Sequence, residues 1–160
     1  MSTPQTYARE LVSAIRNPTT AGLSDALREA ALLLEKFYDT GGWEGLSARV
    51  DDALMTAELA SELRSALLDF VEQRSEHPDV GVAIFALTRC GDSTLRPFFL
   101  RQMKRYCEAG LYHPMSQAEY GLTTLGSGVA YDYAPGQTDH SVFFAAVREY
   151  LERHRDEITA

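Results

Sequence analysis

The sequence predicts an all-α fold: a short right-handed α-solenoid of about four stacked helical hairpins, in a single domain over residues 1–160. Three observations carry that expectation. Apolar residues recur at i, i+3, i+4 and i+7 along almost the whole chain, and no stretch alternates with the period of two that a half-buried strand needs. The run HPDVGVAIFALTRCGDSTLRPFFLRQMKR, residues 77–105, carries the punctuation of a helical hairpin. Pro78 opens a helix, Gly91-Asp92 ends it, and Pro97 falls in the first turn of the next, where backbone N–H groups have no intrahelical partner. A weak internal repeat follows. His77-Pro78 recurs as His113-Pro114, Ala86-Leu87-Thr88 as Gly121-Leu122-Thr123, Phe98-Phe99 as Phe143-Phe144, and Tyr106 as Tyr150. A spacing of about 35 residues, lengthened by roughly ten in the second half of the copy, suits hairpins that bury their apolar faces only against one another.

Element by element, the first helix is expected from Pro4 to Asn17, with Tyr7, Leu11, Ala14 and Ile15 on one face. Asn17-Pro18 stops it, because the residue before a proline is pushed out of helical geometry. The second starts at Ser24 as N-cap, carries Leu27, Ala30, Ala31, Leu34, Phe37 and Tyr38 on one stripe, and ends at Gly41-Gly42. A helix over Gly45 to Met55 comes next. Another runs on to Ser75 with Leu59, Leu63, Leu67, Phe70 and Val71 facing inward. In the hairpin, Val80, Ala83, Ile84 and Leu87 face the core from one helix, and Phe99, Met103, Tyr106 and Cys107 from the other. The next helix starts at Pro114 and ends near Gly126. The last spans Asp139 to Asp156 with Phe143, Ala146, Val147, Tyr150 and Leu151 inward.

Of the 160 residues 45% are apolar and 24% charged, enough for a sizeable core and too apolar for wholesale disorder. The net charge is −8 and the sequence pI about 4.9, which disfavours nucleic acid and anionic membrane surfaces and favours a cationic protein partner. The longest apolar run, Val80 to Leu87, is far below the roughly 20 residues needed to span a bilayer. The N-terminal residues MSTPQTYARELV lack a basic start followed by an apolar block, so a cytoplasmic location is expected. Cys90 and Cys107 are too few for a disulfide framework and are expected as buried thiols.

Pro78, Val80, Ala83, Leu87, Gly91, Asp92 and Pro97 together resemble the HEAT-like repeat family, whose first helix closes on Leu-x-x-x-Gly-Asp and whose second has a proline in its first turn. The match is good over about 30 residues, partial over Pro114 to Tyr150 and poor before Ala60. The resemblance implies a capping or bridging role for Asp92. The later copy departs from the pattern, since Ser127 follows Gly126. In size, charge and hairpin pattern the chain also resembles bacterial toxin-immunity proteins of the HEAT-like type. That likeness implies a non-catalytic protein-binding module that neutralises a basic toxin domain. The alternative is a regulatory adaptor or assembly scaffold built from such repeats.

The candidate binding residues are Tyr131, Asp132, Tyr133, Asp51, Asp52 and Trp43. Residues 126–139, GSGVAYDYAPGQTD, form the main irregular segment, and two tyrosines flanking an aspartate offer contact area and charge to a basic protein. Trp43 stands in the glycine-rich stretch GGWEG as a possible anchor, against a packing role at a hairpin end. Asp51 and Asp52, with Glu58 and Glu62, line one negative surface able to steer a cationic partner. Arg101, Lys104 and Arg105 make a short basic stripe, read as paired with Glu108 rather than as a phosphate contact. His77-Pro78-Asp79 matches a co-chaperone tripeptide but is read as a helix start. No catalytic, cofactor or metal site is expected, because His113, Asp132, Asp139 and His140 have no metal-ligand spacing and no nucleophile or phosphate loop is present.

Overall fold

The regular structure is entirely helical in the computed structural model, which describes residues 4–17, 21–40, 55–129 and 140–159. The contacts divide the chain into two compact units, Met1–Gly91 and Asp92–Ala160.

The first unit holds α1 (Pro4–Arg16), α2 (Leu23–Tyr38), α3 (Ala57–Gln73) and α4 (Val80–Thr88). α1 packs on α2 and α3, and α4 packs on the same two helices, which closes a ring in the order α1, α2, α4, α3. The expected stripes supply its core. Leu11 and Ile15 of α1, Leu27 and Leu34 of α2, and Leu63, Leu67 and Val71 of α3 are all buried. α4 is more deeply placed than its four-residue stripe suggested: Gly81, Ala86 and Thr88 are buried as well, as befits a helix that is apolar all round. Its start is a turn rather than a proline at the first helical position. His77 Nδ1 accepts from the Asp79 N–H at 3.0 Å, the imidazole packs edge-on against Phe70, and the helix begins at Val80.

Two boundaries differ from expectation. α2 starts one residue before Ser24, after Gly22 in the left-handed region (φ 87°), so Ser24 lies inside the helix instead of capping it. It ends at Tyr38, ahead of the paired glycines, with Asp39 left-handed at φ 53° and the Thr40 N–H bonded to the Glu35 carbonyl at 3.2 Å. Asp and Asn tolerate that conformation better than other non-glycine residues. The helix expected over 45–55 lies outside the described residues, apart from Met55, which is not helical.

A polar clasp that no periodic pattern announced joins the ends of α2 and α4. Arg89 and Glu35 are buried and face each other, Nε to Oε2, at 3.5 Å. The Arg89 Nη2 donates to the Thr40 carbonyl at 2.9 Å, and the Thr40 hydroxyl donates to the Arg89 carbonyl at 2.5 Å. Gly91 closes over it with φ 58°; a Cβ there would lie 2.9 Å from Thr40 Cγ2.

In the second unit Asp92 caps a 3₁₀ turn, Ser93–Leu95, by accepting from the Thr94 N–H at 2.8 Å and the Thr94 hydroxyl at 2.7 Å. The expected capping role is therefore filled locally. Then come α5 (Arg96–Ala109), α6 (Tyr112–Thr124), α7 (Ser141–Arg153) and α8 (Arg155–Ile158). Gly110, left-handed at φ 71°, stops α5, and the Leu111 N–H bonds back to the Tyr106 carbonyl at 2.9 Å. That tight turn folds α6 against α5, and α7 and α8 pack on α5 too. Phe99, Met103 and Tyr106 are buried as expected, together with Leu100 and Gln102. On α7, Phe143, Val147 and Tyr150 are buried, whereas Ala146 and Leu151 are only half-buried.

The unit boundary falls at Gly91–Asp92, inside the run read as one hairpin. α4 takes its neighbours α2 and α3 from the first unit, and α5 pairs with α6 in the second. Both cysteines are buried, neither in a disulfide.

Candidate functional site

Tyr131, Asp132, Tyr133, Asp51, Asp52 and Trp43 lie outside the described residues. The structure supplies the two roots from which residues 130–139 depart, and the helix that follows residues 51–54.

The first root is Ser127-Gly128-Val129. The Tyr150 hydroxyl of α7 donates to the Ser127 carbonyl at 2.6 Å, and Arg96 Nη1 donates to the Ser127 hydroxyl. The Val129 N–H donates to Glu119 Oε1 at 3.2 Å, and the Thr123 hydroxyl donates to the same oxygen at 2.7 Å. Gly128 fits only because it lacks a side chain: a Cβ would lie 2.1 Å from Thr123 Oγ1 and 2.9 Å from the Thr123 Cα. The second root is His140, whose ring stacks on Tyr112 with centroids 3.5 Å apart and planes 12° from parallel. Phe143 meets the same Tyr112 edge-on at 5.8 Å. Thus α6 and α7 fix both ends of the segment.

The first root depends on an ion-pair network. Arg96 donates from Nε and Nη2 to the two Glu157 carboxylate oxygens at 2.5 and 3.1 Å, and His154 Nδ1 lies 3.2 Å from Glu157 Oε2. The hydrogen bonds from Arg96 hold the Glu157 carboxyl below its ordinary range, with His154 adding to them, and Glu157 in turn raises the Arg96 guanidinium. Two hydrogen bonds in parallel fix direction as well as charge. Sequence reading missed this network because Arg96 stands 31 residues from Ser127 and 61 from Glu157. The one local signal was Ser127, at the position where the repeat pattern expects an aspartate.

In the first unit, α3 carries Glu58, Glu62, Asp69 and Glu72. At 100° per residue they fall within about 40° of one line along the helix. Glu58, Glu62 and Glu72 are exposed, Asp69 half-buried. From Glu58 to Glu72 the row is about 21 Å long. Arg16 of α1 reaches it at one point, 3.0 Å from Asp69 Oδ2. Thr56 caps this helix by accepting from the Leu59 N–H at 3.1 Å, and Glu58 stands in the first turn, where a carboxylate meets the positive end of the helix dipole.

The basic stripe is exposed; Lys104 lies 3.2 Å from Glu108, as expected, and Arg105 donates to Gln102 at 3.0 Å. His113 is exposed, and His140 is engaged by Tyr112. Among the described residues no group of three or more His, Cys, Asp or Glu side chains is placed to hold a metal ion, and no helix is long and apolar enough to cross a membrane. Comparison of the chain with protein-family models, curated proteins and solved structures returns no match.

Proposed function

We propose that the chain is a non-catalytic protein-binding module whose helices are HEAT-like hairpins stacked as a short right-handed α-solenoid, and that its partner is basic. The observation that carries the reading is the acidic row on α3, about 21 Å long, in which Glu58, Glu62 and Glu72 are exposed and Asp69 is half-buried. The ring of contacts in the first unit supports the architecture, because two stacked hairpins, α1/α2 and α3/α4, need those four pairings. The aromatic and acidic content of residues 130–139, expected from the sequence to meet a basic protein, supports a second contact region. Most concretely, the module is an immunity protein that neutralises a basic toxin domain, a reading supported by its size, its charge of −8 and its resemblance to that type.

The test starts with capture of the partner from a native lysate at low and high salt, followed by surface-resonance kinetics. The partner should be basic. The variant Glu58→Gln/Glu62→Gln/Glu72→Gln should associate several-fold more slowly at low salt and like wild type at high salt, because steering is screened beyond about 8–10 Å. Tyr131→Ala/Tyr133→Ala should mainly dissociate faster. Rescue of cells poisoned by the partner assigns the immunity role. A neutral or acidic partner, or unchanged rates in both variants, overturns the reading.

A further inference from the structure

Where α7 and α8 pack on α5, the second unit has an open cleft of about 260 Å³. Its floor is apolar: Cys107 from α5, Leu151 from α7 and Ile158 from α8. Cys107 is 6% exposed, and burial pushes its thiol up, so it presents a neutral surface even though the Arg148 charge pulls the other way. The rim is charged, with Lys104, Arg148 and Arg155 against Glu108 and Glu152. Two of these cations are already matched. Lys104 lies 3.2 Å from Glu108, and Arg155 lies 3.2 Å from Glu152. Arg148 has no carboxylate partner among the described residues; its guanidinium stands 5.9 Å from the centroid of the Phe144 ring. The cleft therefore combines an apolar floor with a rim of three cations and two carboxylates, in a protein whose net charge is −8.

We propose that this cleft binds a small amphipathic monocarboxylic acid, its apolar tail on Cys107, Leu151 and Ile158 and its carboxylate on Arg148. The argument has three steps. An apolar floor gains from a ligand that displaces its water. A planar guanidinium favours a planar carboxylate, which it binds through two parallel hydrogen bonds. The volume is a little below that of drug-sized ligand sites, about 300–1,000 Å³, which favours a short tail over a long lipid chain or a helix. The site is built only from residues of the second unit and uses none of the α3 carboxylates, so it stands or falls independently of the protein-partner reading.

The test is calorimetric titration of the full chain with octanoate, at constant ionic strength and below its micellar range, beside octanol and inorganic phosphate. Octanoate should bind with one-to-one stoichiometry, and neither octanol nor phosphate should approach its affinity. Arg148→Gln should lose about ten-fold or more, the usual scale for a charge-assisted pair, while Arg148→Lys recovers part of it. Arg148 is exposed, so both variants should keep wild-type helicity, checked by circular dichroism. As an independent readout, octanoate should slow alkylation of Cys107 and leave Cys90 in the first unit unaffected. No binding of octanoate, equal binding of octanol, or full affinity in Arg148→Gln each overturns the proposal.

Discussion

The buried pair of Arg89 and Glu35 makes the sharpest prediction about stability. Both side chains are about 95% removed from solvent, and Nε and Oε2 stand 3.5 Å apart. At an effective dielectric of about 20 their attraction is roughly 5 kcal/mol, against a desolvation cost of several kcal/mol for each ion. The pair as a whole therefore sits near balance, while either member alone is a liability. Arg89→Met leaves the Glu35 carboxylate without its guanidinium and the Thr40 carbonyl without its donor, so it should cost about 3–5 kcal/mol. Glu35→Leu should cost a similar amount. The double variant removes both charges and should cost only about 1–2 kcal/mol, chiefly the lost bond to Thr40. The coupling in the cycle should thus be about 4 kcal/mol or more. Urea unfolding followed by circular dichroism on all four proteins measures it. Single-variant costs that add to within about 0.5 kcal/mol in the double would refute the reasoning, because they would show two side chains acting independently.

Gly121→Ala should destabilise the second unit by about 1–2 kcal/mol, read from the same unfolding curves. An alanine inside a helix ordinarily gains about 0.5–1 kcal/mol over glycine, but here its Cβ would meet three atoms of the Phe99 ring at 2.6–2.7 Å, and that ring is 1% exposed with nowhere to turn; a stabilised variant would show that α5 and α6 are not so closely packed. Glu157→Gln should cost little at pH 7, since Glu157 is 40% exposed, and the gap from wild type should close on acidification. The folded-state carboxyl is held below its unfolded value of about 4.3, so its contribution is complete above that pH and is lost as pH falls through the folded value; a gap that persists unchanged to pH 2 would dissociate Glu157 from the acid response.

The helices were legible because their apolar spacing is local. Leu59, Leu63, Leu67 and Val71 announce one buried face whatever they pack against, and α3 has that face. Pairing was less legible. Pro78, Gly91-Asp92 and Pro97 mark where helices start and stop, and that punctuation holds in outline, but it does not say which helix lies beside which. A tight Gly110 turn brings α5 to α6, while α4 is apolar all round and has neighbours on both sides. Ser24 misled because a good capping side chain loses when the glycine two residues earlier takes the left-handed conformation. The clasp of Glu35, Thr40 and Arg89 and the network of Arg96, Ser127, Tyr150 and Glu157 were invisible because each joins residues far apart in sequence. Of the acidic surface expected from Asp51, Asp52, Glu58 and Glu62, the described part is Glu58 and Glu62, which share one face of α3 with Asp69 and Glu72; Asp51 and Asp52 lie outside the described residues.

The roots of segment 130–139 bear on how such a segment can recognise anything. A ten-residue loop with free ends would forfeit much of its contact energy in ordering. Here one end is fixed through Ser127 by Tyr150 and Arg96 and through Val129 by Glu119, and the other by the stack of His140 on Tyr112. Substitution at Gly128 or Glu119 therefore tests how the described ends are held, and substitution at Tyr131, Asp132 or Tyr133 tests the contact chemistry expected of the segment. Exchanging Tyr131 and Tyr133 for alanine should alter dissociation with helicity unchanged, whereas Gly128→Ala should lower affinity together with the stability of the second unit, because its Cβ would meet Thr123 Oγ1 at 2.1 Å.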